Sequence, residues 1–453
     1  MDLLIIGVGY VGLVTGCCMA EMGHNVTCLD IDQKKIDELK QGHVPFYESG
    51  LEGLVQRNVS ANRLHFTTQY KEAVASSEVC FICVDTPTGD TGHANLKYVE
   101  GVARAIAENM DSYKIVVNKS TVPVGTAEVV RKIIAETLKS REVNVSFDVV
   151  SNPEFLAEGN AVADCMKPDR VILGIDNEDV GKKMHDIYSP FMLSHDRVIT
   201  MDIPSAEMTK YAANIMLASR VSLMNELAGL CETVGANIDF VRVGIGSDNR
   251  IGYKFIYPGL GFGGSCLPKD LRALQALAKD NKYETPLLAA IEEVNHRQKR
   301  SLGKKVIDYF TSRNSPSGKT VGVLGLSFKP DTDDMREAPS LILIDQLLEA
   351  GCKVRVFDPI AMDKARDIIG SNPNITWCAN EKEVALGAHA IVLVTEWKQF
   401  RLLNLKELLA NMVGHAFFDG RNQYSPQKMQ EVGFDYFSIG KSPVFQPEET
   451  TIY

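Results

Sequence analysis

The sequence lacks three features that would assign its class at once: a run of Lys and Arg, a long apolar segment and a regular cysteine pattern. Without a basic run or tail, and with a formal net charge of −10, sequence-independent binding of nucleic acid is not expected. No stretch of about 18 apolar residues occurs, so we expect no membrane span. The N-terminal MDLLIIGVGYVGLVTG has Asp2 and no basic segment, which argues against a signal peptide.

The ten cysteines are scattered, mostly within apolar segments, and suggest no disulfide framework. This usage is typical of free thiols in a reducing cytoplasm. Cys80 and Cys83 form a CxxC, but they lie in VCFICV, which has the pattern of a strand. No second pair follows at the spacing of a zinc site, so we predict two buried strand residues and no bound metal.

Short apolar runs alternate with helical patterns over the first 175 residues. At 453 residues, of which 45% are hydrophobic and 23% charged, the chain has room for about two to four globular domains. Repeated alternation of strands and helices predicts a mostly parallel, doubly wound sheet. The predicted strands are Asp2–Gly7, Val26–Asp30, Glu78–Val84, Lys114–Ser120, Phe147–Pro153 and Arg170–Ile175.

The pattern changes after residue 203. Residues 205–234 have helical periodicity without a strong breaker, and such a helix would be roughly 40 Å long. More helix follows, then a polar linker at Ser312–Lys319, then a second set of strands and helices. We therefore predict an α/β protein with two Rossmann-like doubly wound domains joined by a helical central region. The predicted domains are residues 1–202, 203–311 and 319–453.

A glycine motif follows the first strand and opens a helix. It reads Gly7-Val8-Gly9-Tyr10-Val11-Gly12, the GxGxxG of dinucleotide sites. In such a motif the first glycine allows a tight turn, the second lets the backbone approach a pyrophosphate, and the third allows close helix–strand packing. Asp30 ends the second strand and is expected to bind the ribose hydroxyls. A carboxylate there favours NAD over NADP, a preference that nearby Lys35 would soften.

Two further loops follow predicted strands, at Cys83–Asp90 and Ser120–Thr126. Because loops at the carboxyl ends of parallel strands line one crevice, they are candidates for ligand contacts. Their hydroxyls and prolines suit ordinary strand-ending turns equally well.

Glu207, Lys210, Tyr211 and Asn214 lie near the start of the long helix. Lys210 and Asn214 are four residues apart and share a face, where they could hold a water or a sugar hydroxyl. The spacing alone favours a plainer interpretation, a solvated face with a Glu–Lys pair.

The stretch GFGGSCLPKD, Gly261–Asp270, places a cysteine in a glycine-rich loop directly before a helical pattern. Such a run of glycines predicts a loop whose backbone closely approaches something. A helix N-terminus lowers the pKa of a thiol, and Lys269 or Lys210 would lower that of Cys266 further. Asp270, four residues on, could hold a water or a lysine near the sulfur. A buried inert cysteine is the alternative, but the polar loop favours reactivity.

Several motifs together resemble one family, the UDP-glucose/GDP-mannose dehydrogenases. They occur in the order GVGYVG, STVPVGT, NPEFLAEG, ExxKYxxN, GFGGSCLPKD and FKPDTDDMRE, and span nearly the whole chain. By resemblance, the cysteine loop favours UDP-glucose over GDP-mannose.

The resemblance implies a four-electron oxidation of a sugar C6 alcohol to a carboxylate, with two NAD consumed in turn. Lys210, or a water held by Lys210, Asn214 and Asp270, would accept the hydroxyl proton. Cys266 would attack the aldehyde to give a thiohemiacetal and then a thioester. Glu154 would activate water for hydrolysis.

Further site residues follow from the resemblance alone. The expected contacts of NAD, besides the glycine motif, Asp30 and Lys35, are Thr86, Thr121, Glu158, Lys269 and Arg336, with Thr121 also a catalytic candidate. The expected contacts of the nucleotide sugar are Glu154, Phe155, Leu156, Glu158, Lys210, Asn214, Tyr257 to Gly263 (notably Gly259, Gly261 and Gly263), Lys329 and Arg421. Arg250 is expected to reach the substrate of a partner subunit, with the long helix forming the interface of a homodimer.

Three alternatives stay open. The same chemistry could act on GDP-mannose or a UDP-N-acetylhexosamine. A two-electron β-hydroxyacid dehydrogenase also pairs an N-terminal Rossmann domain with a helical lysine and asparagine, but it has no use for Cys266. A nucleotide-sugar binding protein without turnover would tolerate replacement of Cys266.

Overall fold

A computed structural model of the chain describes residues 1–89, 91–192 and 194–447. The chain divides into two compact units. The first contains Met1–Ala213 and Arg272–Tyr283, and the second contains Asn214–Leu271 and the chain from Glu284 onward.

An eight-stranded sheet forms the centre of the first unit, in the order β3-β2-β1-β4-β5-β6-β7-β8. Neighbouring strands are parallel except β6 and β7, which pair in antiparallel fashion. The strands are β1 (Asp2–Ile6), β2 (Asn25–Leu29), β3 (Leu64–Thr67), β4 (Val79–Ile82), β5 (Lys114–Asn118), β6 (Phe147–Ser151), β7 (Val171–Gly174) and β8 (Val198–Met201).

Helices follow most of these strands. They are α1 (Tyr10–Glu21), α2 (Gln33–Lys40), α3 (Leu51–Ser60), α4 (Tyr70–Ser76), α5 (Lys97–Asn109), α6 (Thr126–Ser140), α7 (Ala161–Met166) and α8 (Glu178–Tyr188). Strands β4 and β5 are buried along their full length. Strands covered on both faces need apolar residues at successive positions, which explains their continuous hydrophobic runs.

The second unit contains a six-stranded parallel sheet in the order β11-β10-β9-β12-β13-β14. Its strands are β9 (Thr320–Leu324), β10 (Lys353–Phe357), β11 (Ile375–Trp377), β12 (Ala390–Leu393), β13 (Ala416–Asp419) and β14 (Asp435–Phe437). The main helices around it are α13 (Pro339–Glu349), α14 (Met362–Ile369), α15 (Glu381–Ala385), α16 (Leu405–Asn411) and α17 (Pro426–Val432).

The long helix predicted from residue 205 is α9 (Ile203–Val234). It contributes residues 203–213 to the first unit and 214–234 to the second. The other helices of the central region are α10 (Ile238–Gly246), α11 (Leu267–Asp280) and α12 (Pro286–Thr311).

Both sheets have the 3-2-1-4-5-6 strand order of doubly wound nucleotide-binding folds, and the first adds two strands at one edge. The predicted class, α/β with two Rossmann-like sheets and a helical central region, is confirmed. The exact domain boundaries given above stay a prediction.

All ten cysteines are free thiols, and Cys80 and Cys83 are buried as expected. Within residues 1–89, 91–192 and 194–447, no helix is both long and apolar enough to cross a membrane.

Candidate active site

The dinucleotide turn, Gly7–Gly12, follows β1 and includes the start of α1, and it borders a pocket of about 590 Å³ in the first unit. The lining includes Gly7, Gly9, Asp30 and Lys35. A volume of this size suits an elongated cofactor. The carboxylate of Asp30 accepts a hydrogen bond from the Val8 N–H at 2.9 Å, and Lys35 Nζ lies 3.2 Å from it. The cation predicted to soften the preference of Asp30 is therefore in contact with it.

The glycines of this turn are required for different reasons. Gly7 has a φ of +95°, and a Cβ there would lie 2.7 Å from the Cys83 carbonyl oxygen. A Cβ on Gly12 would lie 1.8 Å from the Gly7 carbonyl oxygen. A Cβ on Gly9, by contrast, would meet only Asp85 Oδ1, at 3.9 Å. The backbone at Gly9 thus borders open space, which fits a pyrophosphate lying against it.

The two neighbouring loops are tied together. Thr86 Oγ1 donates to the Thr121 carbonyl oxygen at 2.7 Å, and Ser120 Oγ donates to the Val84 carbonyl oxygen at 2.7 Å. Val84 and Asp85 also line the 590 Å³ pocket. Asp90, at the end of the first loop, lies outside the described residues.

The sugar loop, residues 152–159, follows β6 and carries Glu154. Lys210 Nζ donates to Glu154 Oε1 at 2.9 Å, and both side chains are about 95% buried (4% and 5% exposed). Burial by itself would raise the pKa of Glu154. The Lys210 ammonium and the Leu156 N–H outweigh this and hold that pKa below its ordinary value. The first unit thus contains a buried, ionised carboxylate–ammonium pair.

Phe155 and Leu156 stand beside this pair. The Lys210 ammonium lies 5.4 Å from the centre of the Phe155 ring, and the Arg170 guanidinium lies 3.8 Å from it. The sugar loop also borders a cavity of about 200 Å³ that contains the buried Lys119. Lys119 donates to Asn152 Oδ1 at 3.2 Å. In the sequence, Lys119 lies near the end of the predicted strand Lys114–Ser120, and that pattern does not mark it as a site residue.

The prediction of a solvated helix face, which the spacing of Glu207, Lys210 and Asn214 favoured, is wrong. Glu207, Lys210 and Asn214 are 2%, 3% and 7% exposed. Glu207 accepts hydrogen bonds from the Gly125 and Ala127 N–H groups at 2.7 and 2.9 Å, at the start of α6. Burial raises its pKa, although these N–H groups act in the opposite direction. Tertiary packing explains the error, because helical spacing cannot tell which elements cover a face.

In the second unit, Cys266 directly precedes α11, which begins at Leu267 as the pattern predicted. Its Sγ lies 3.4 Å from Ser265 Oγ. One helical turn later, Asp270 is 1% exposed. Its carboxylate accepts from Asn214 Nδ2 at 2.6 Å and from Lys269 Nζ at 2.8 Å. The lysine expected beside Asp270 is therefore Lys269.

The glycines of the cysteine loop, Gly261–Cys266, face the protein itself. A Cβ on Gly261 would lie 2.6 Å from Asn295 Oδ1, one on Gly263 would lie 2.4 Å from the Glu337 carbonyl oxygen, and one on Gly264 would lie 2.7 Å from the Phe328 ring. The close approach predicted for this backbone is thus made to α12 and to residues 328–337. Both segments lie in the second unit, so contacts within that unit fix the conformation of the loop.

Sequence reasoning missed the residues that hold this loop. Asn295 on α12 accepts from the Phe262 N–H at 2.7 Å and donates to its carbonyl oxygen at 3.0 Å. Lys299, one turn later and 3% exposed, donates to Glu337 at 3.0 Å. Asn225 accepts from the Gly259 N–H at 2.8 Å. In the sequence, the feature that could have identified them is the pair Asn295 and Lys299, two polar residues four positions apart on an amphipathic helix.

The other residues of the second unit that were predicted to contact NAD or the nucleotide sugar lie near charged or aromatic side chains. Arg336 pairs with Asp334 at 2.9 Å, and Arg250 pairs with Asp248 at 2.6 Å. Arg421 Nε lies 3.0 Å from Glu396. The Arg242 guanidinium lies 4.3 Å from the Tyr257 ring centre, and Lys329 Nζ lies 5.7 Å from that of Phe328. In the first unit, Glu158 is half-buried near the end of the sugar loop.

Among the described residues, no three His, Cys, Asp or Glu side chains are grouped as a metal site would need. Whether Cys266, Lys210, Asn214, Asp270, Glu154 and Thr121 act in catalysis stays a prediction at this point.

Three domain models of one family match consecutive parts of the chain. The NAD binding domain of the UDP-glucose/GDP-mannose dehydrogenase family matches residues 1–192, its central domain residues 204–297 and its UDP binding domain residues 322–426. The first match confirms the prediction of NAD as the cofactor.

Curated relatives are similar along the whole chain. A UDP-glucose 6-dehydrogenase of Pseudomonas aeruginosa is 46% identical, covering 97% of this chain and 98% of its own. A UDP-glucose 6-dehydrogenase of Rhizobium meliloti is 44% identical, covering 97% of this chain and 100% of its own.

A solved structure agrees. The UDP-glucose dehydrogenase of Pyrobaculum islandicum superposes with a TM-score of 0.88 at 34% identity, over 97% of this chain and 98% of that one. By its three consecutive domains and its full-length relatives, this chain belongs to the UDP-glucose/GDP-mannose dehydrogenase family.

Proposed function

We propose that this chain oxidises UDP-glucose at C6 to UDP-glucuronate in two successive steps, with two NAD reduced for each sugar. The proposal is supported by the curated relatives, which are UDP-glucose 6-dehydrogenases. The observation that carries it is the position of Cys266, at the start of α11 with the buried network of Asn214, Asp270 and Lys269 one turn away. A nucleophilic thiol at this position can add to an aldehyde and hold it as a covalent adduct.

NAD bound at the dinucleotide turn supplies a hydride acceptor in each oxidation. The chain's own residues handle protons and bonds. As the first hydride leaves C6, a base accepts the proton of the hydroxyl. The Cys266 thiolate then attacks the aldehyde carbon, and the new C–S bond gives a thiohemiacetal. Loss of a second hydride from C6 of the thiohemiacetal oxyanion gives a thioester. Water then adds to the carbonyl carbon while Glu154 accepts its proton, and the C–S bond breaks to return the Cys266 thiolate and release the sugar acid.

The Lys210–Glu154 pair sharpens these roles. A carboxylate 2.9 Å from Lys210 Nζ favours the ammonium form of the lysine. An ammonium donates to an oxyanion but cannot accept a proton, so we assign to Lys210, together with Asn214, the stabilisation of the oxyanion. The proton of the first step then passes to a water. Glu154, ionised by the same pair, is in the form that a general base requires.

The experiment is an NADH-linked assay with UDP-glucose, GDP-mannose and UDP-N-acetylmannosamine. We expect the highest kcat/KM with UDP-glucose and two NADH formed for each sugar consumed. A single NADH for each sugar would refute the covalent route and favour a two-electron β-hydroxyacid dehydrogenase.

Replacement of Cys266 tests the thiol directly. Cys266→Ser is expected to abolish overall oxidation, because a hydroxyl is a far weaker nucleophile than a thiolate. Cys378→Ser, at a thiol of the six-stranded sheet region that is 3% exposed, is the matched control and should retain activity. Full activity in Cys266→Ser would leave a binding protein or another mechanism as the explanation.

We also propose a cytoplasmic homodimer. Helices α9 and α10 expose large apolar side chains in the second unit, among them Met216, Leu223, Leu230 and Phe240, the last 77% exposed. Exposed apolar patches of this kind are typical of protein interfaces. By the resemblance, Arg250 would complete the partner's substrate site. Light scattering should give twice the mass of one chain, and Leu223→Glu should reduce it to that of a monomer.

A further inference from the structure

Residues 41–50 connect α2 to α3 without regular secondary structure and carry a buried carboxylate. Glu48 is 7% exposed. The motif around it, FYESG, has no part in the chemistry proposed above. All of its contacts described here lie within the first unit.

The Glu48 carboxylate joins two segments that are far apart in sequence. The Tyr10 hydroxyl, from the dinucleotide turn, donates to Glu48 Oε2. The Gly159 N–H, at the end of the sugar loop, donates to the same oxygen at 2.7 Å, and the Ala161 N–H donates to Oε1 at 2.8 Å. Tyr10 also packs on Phe46, with ring centres 5.1 Å apart.

We propose that Glu48 is a positioning residue that fixes the sugar loop against the dinucleotide turn. The substrate side of this role rests on the proposed function. An ionised carboxylate only accepts hydrogen bonds, and here donors from both segments occupy its two oxygens. Burial raises the pKa of Tyr10, and Glu48 raises it further, so the hydroxyl remains protonated and continues to donate.

The sugar loop is held at each end by a different contact. At its start, the Asn152 N–H donates to the Asn118 carbonyl oxygen at 2.8 Å, next to the sheet. At its end, Gly159 and Ala161 are held by Glu48. The segment between these anchors carries Glu154. Loss of the second anchor would leave the position of that carboxylate less well defined, and small misplacements of reacting groups reduce rates strongly.

The dinucleotide turn has supports of its own. The Gly7 N–H donates to the Leu29 carbonyl oxygen at 2.8 Å, and the Val8 N–H donates to Asp30 at 2.9 Å. Glu48 is therefore needed more by the sugar loop than by the turn. The expected effect of its loss falls on the substrate and less on NAD.

The test uses Glu48→Gln with Glu21→Gln as matched control. An amide keeps one acceptor and replaces the other with a donor, so at least one of the three donors loses its partner. Glu21, at the other end of α1, accepts from Asn58 Nδ2 at 2.7 Å and contacts neither segment. Both variants therefore replace one hydrogen-bonded carboxylate of the same unit, and Glu21 is the more exposed of the two.

Hydrogen exchange of the chain without ligands gives the first measurement. We expect the amides of residues 157–166 to exchange about tenfold faster in Glu48→Gln than in Glu21→Gln. Calorimetry should give an NAD Kd within about threefold of the parent. In turnover, the KM for UDP-glucose should rise about tenfold, a change that a smaller folded fraction, which lowers only the apparent kcat, would not produce.

Unchanged exchange at residues 157–166, or equal effects in both Glu→Gln variants, would overturn the proposal. If Glu48→Gln does not fold, Tyr10→Phe decides, because it keeps the carboxylate and the ring but removes the hydroxyl, which donates to Glu48 and accepts from the Gly159 N–H at 2.8 Å. Tyr10→Phe should speed exchange at Gly159, and unchanged exchange there would refute the bridge. Because exchange and NAD binding need no sugar substrate, these results stand even if the UDP-glucose assay fails.

Discussion

The two sheets have the same strand order in their first six strands, yet they use equivalent aspartates differently. Asp30 directly follows β2 of the first sheet, and Asp358 directly follows β10 of the second. The Asp30 side chain is 11% exposed and lines the 590 Å³ pocket, whereas Asp358 is 1% exposed. One carboxylate borders space for a ligand, and the other is enclosed by the protein.

The turn after β1 and the corresponding turn after β9 each begin with a glycine of positive φ. Gly7 and Gly325 have φ values of +95° and +89°. Their N–H groups donate to the Leu29 and Phe357 carbonyl oxygens at 2.8 and 2.9 Å. In each turn the next residue donates its N–H to the aspartate. The first glycine is therefore a requirement of the turn and carries no information about a ligand.

The difference begins two residues after that glycine. Gly9 in the first turn leaves open space, whereas Ser327 in the second donates its N–H to Asp358 at 3.1 Å. The indole of Trp397 and the N–H groups of Ile360 and Ala361 also donate to Asp358, at 2.8 to 3.0 Å. The donors around Asp358 thus come from the protein itself, whereas at Asp30 we predict that a ribose supplies some of them. The same topology can hold a cofactor or an internal hydrogen-bond network, depending on a few side chains.

The largest expected effect is on stability, at Asp358. Asp358→Ala leaves several buried N–H donors without a partner, and we expect a loss of about 3 kcal/mol or more in the free energy of unfolding. Asp363→Ala, at a side chain that is 94% exposed, should change it by less than about 0.5 kcal/mol. Urea unfolding followed by circular dichroism measures both. Equal stability of the two variants would remove the structural role of Asp358.

The next effect is on cofactor affinity, at Asp30. Asp30→Ala removes the expected acceptor for the ribose hydroxyls, so the Kd of NAD should rise about 10- to 100-fold. Its unfolding free energy should change by less than about 1 kcal/mol, because the pocket admits water. Calorimetric titration with NAD is the measurement, and Asp37→Ala on the exposed side of α2 is the control. An unaltered Kd in Asp30→Ala would break the comparison between the two aspartates.

The smallest effect is on pH dependence and compares one buried carboxylate from each unit. Burial tends to raise the pKa of Glu154, but Lys210 lowers it below the ordinary 4.5. Burial raises the pKa of Asp419 above the ordinary 3.8, since its donors, including the Tyr436 hydroxyl, are neutral and do not outweigh the loss of water. Protonation therefore opposes folding at Glu154 and favours it at Asp419.

The two sites should consequently respond to acid with opposite signs. The stabilisation from Glu154 is full above pH 4.5 and is lost as the pH falls through its lowered pKa, so the deficit of Glu154→Gln should shrink there. The cost of ionised Asp419 is relieved as the pH falls towards 3.8, so the deficit of Asp419→Asn should grow. Urea unfolding between about pH 7 and pH 3 should show changes of about 1 kcal/mol. If the stability deficits of both variants changed in the same direction as the pH falls, this assignment would be contradicted.

The sequence predicted most central strands, but it missed all four edge strands and the buried central strand β13. Strands β1, β2, β4, β5, β6 and β7 were found because their apolar runs are continuous. The edge strands β3, β8, β11 and β14 have only three or four residues each, and β8 is largely exposed. A strand with one neighbour needs less apolar surface, so its local pattern is weak.

For the candidate site, short sequence motifs were enough to predict the local chemistry. The spacing of Gly7, Gly9 and Gly12 with Asp30 fixed a dinucleotide turn, and Pro268 with the following periodicity placed Cys266 before a helix. These features depend on backbone conformation over a few residues, which neighbouring side chains dictate.

The hydrogen-bonding partners of these residues became known from the folded structure. It paired Lys210 with Glu154, buried Glu207 at the start of α6, enclosed Asp358 and joined Tyr10 to Gly159 through Glu48. Each of these contacts joins residues more than 30 positions apart in the sequence. Burial and hydrogen bonding across such distances depend on how the strands and helices pack, and no local pattern encodes that packing.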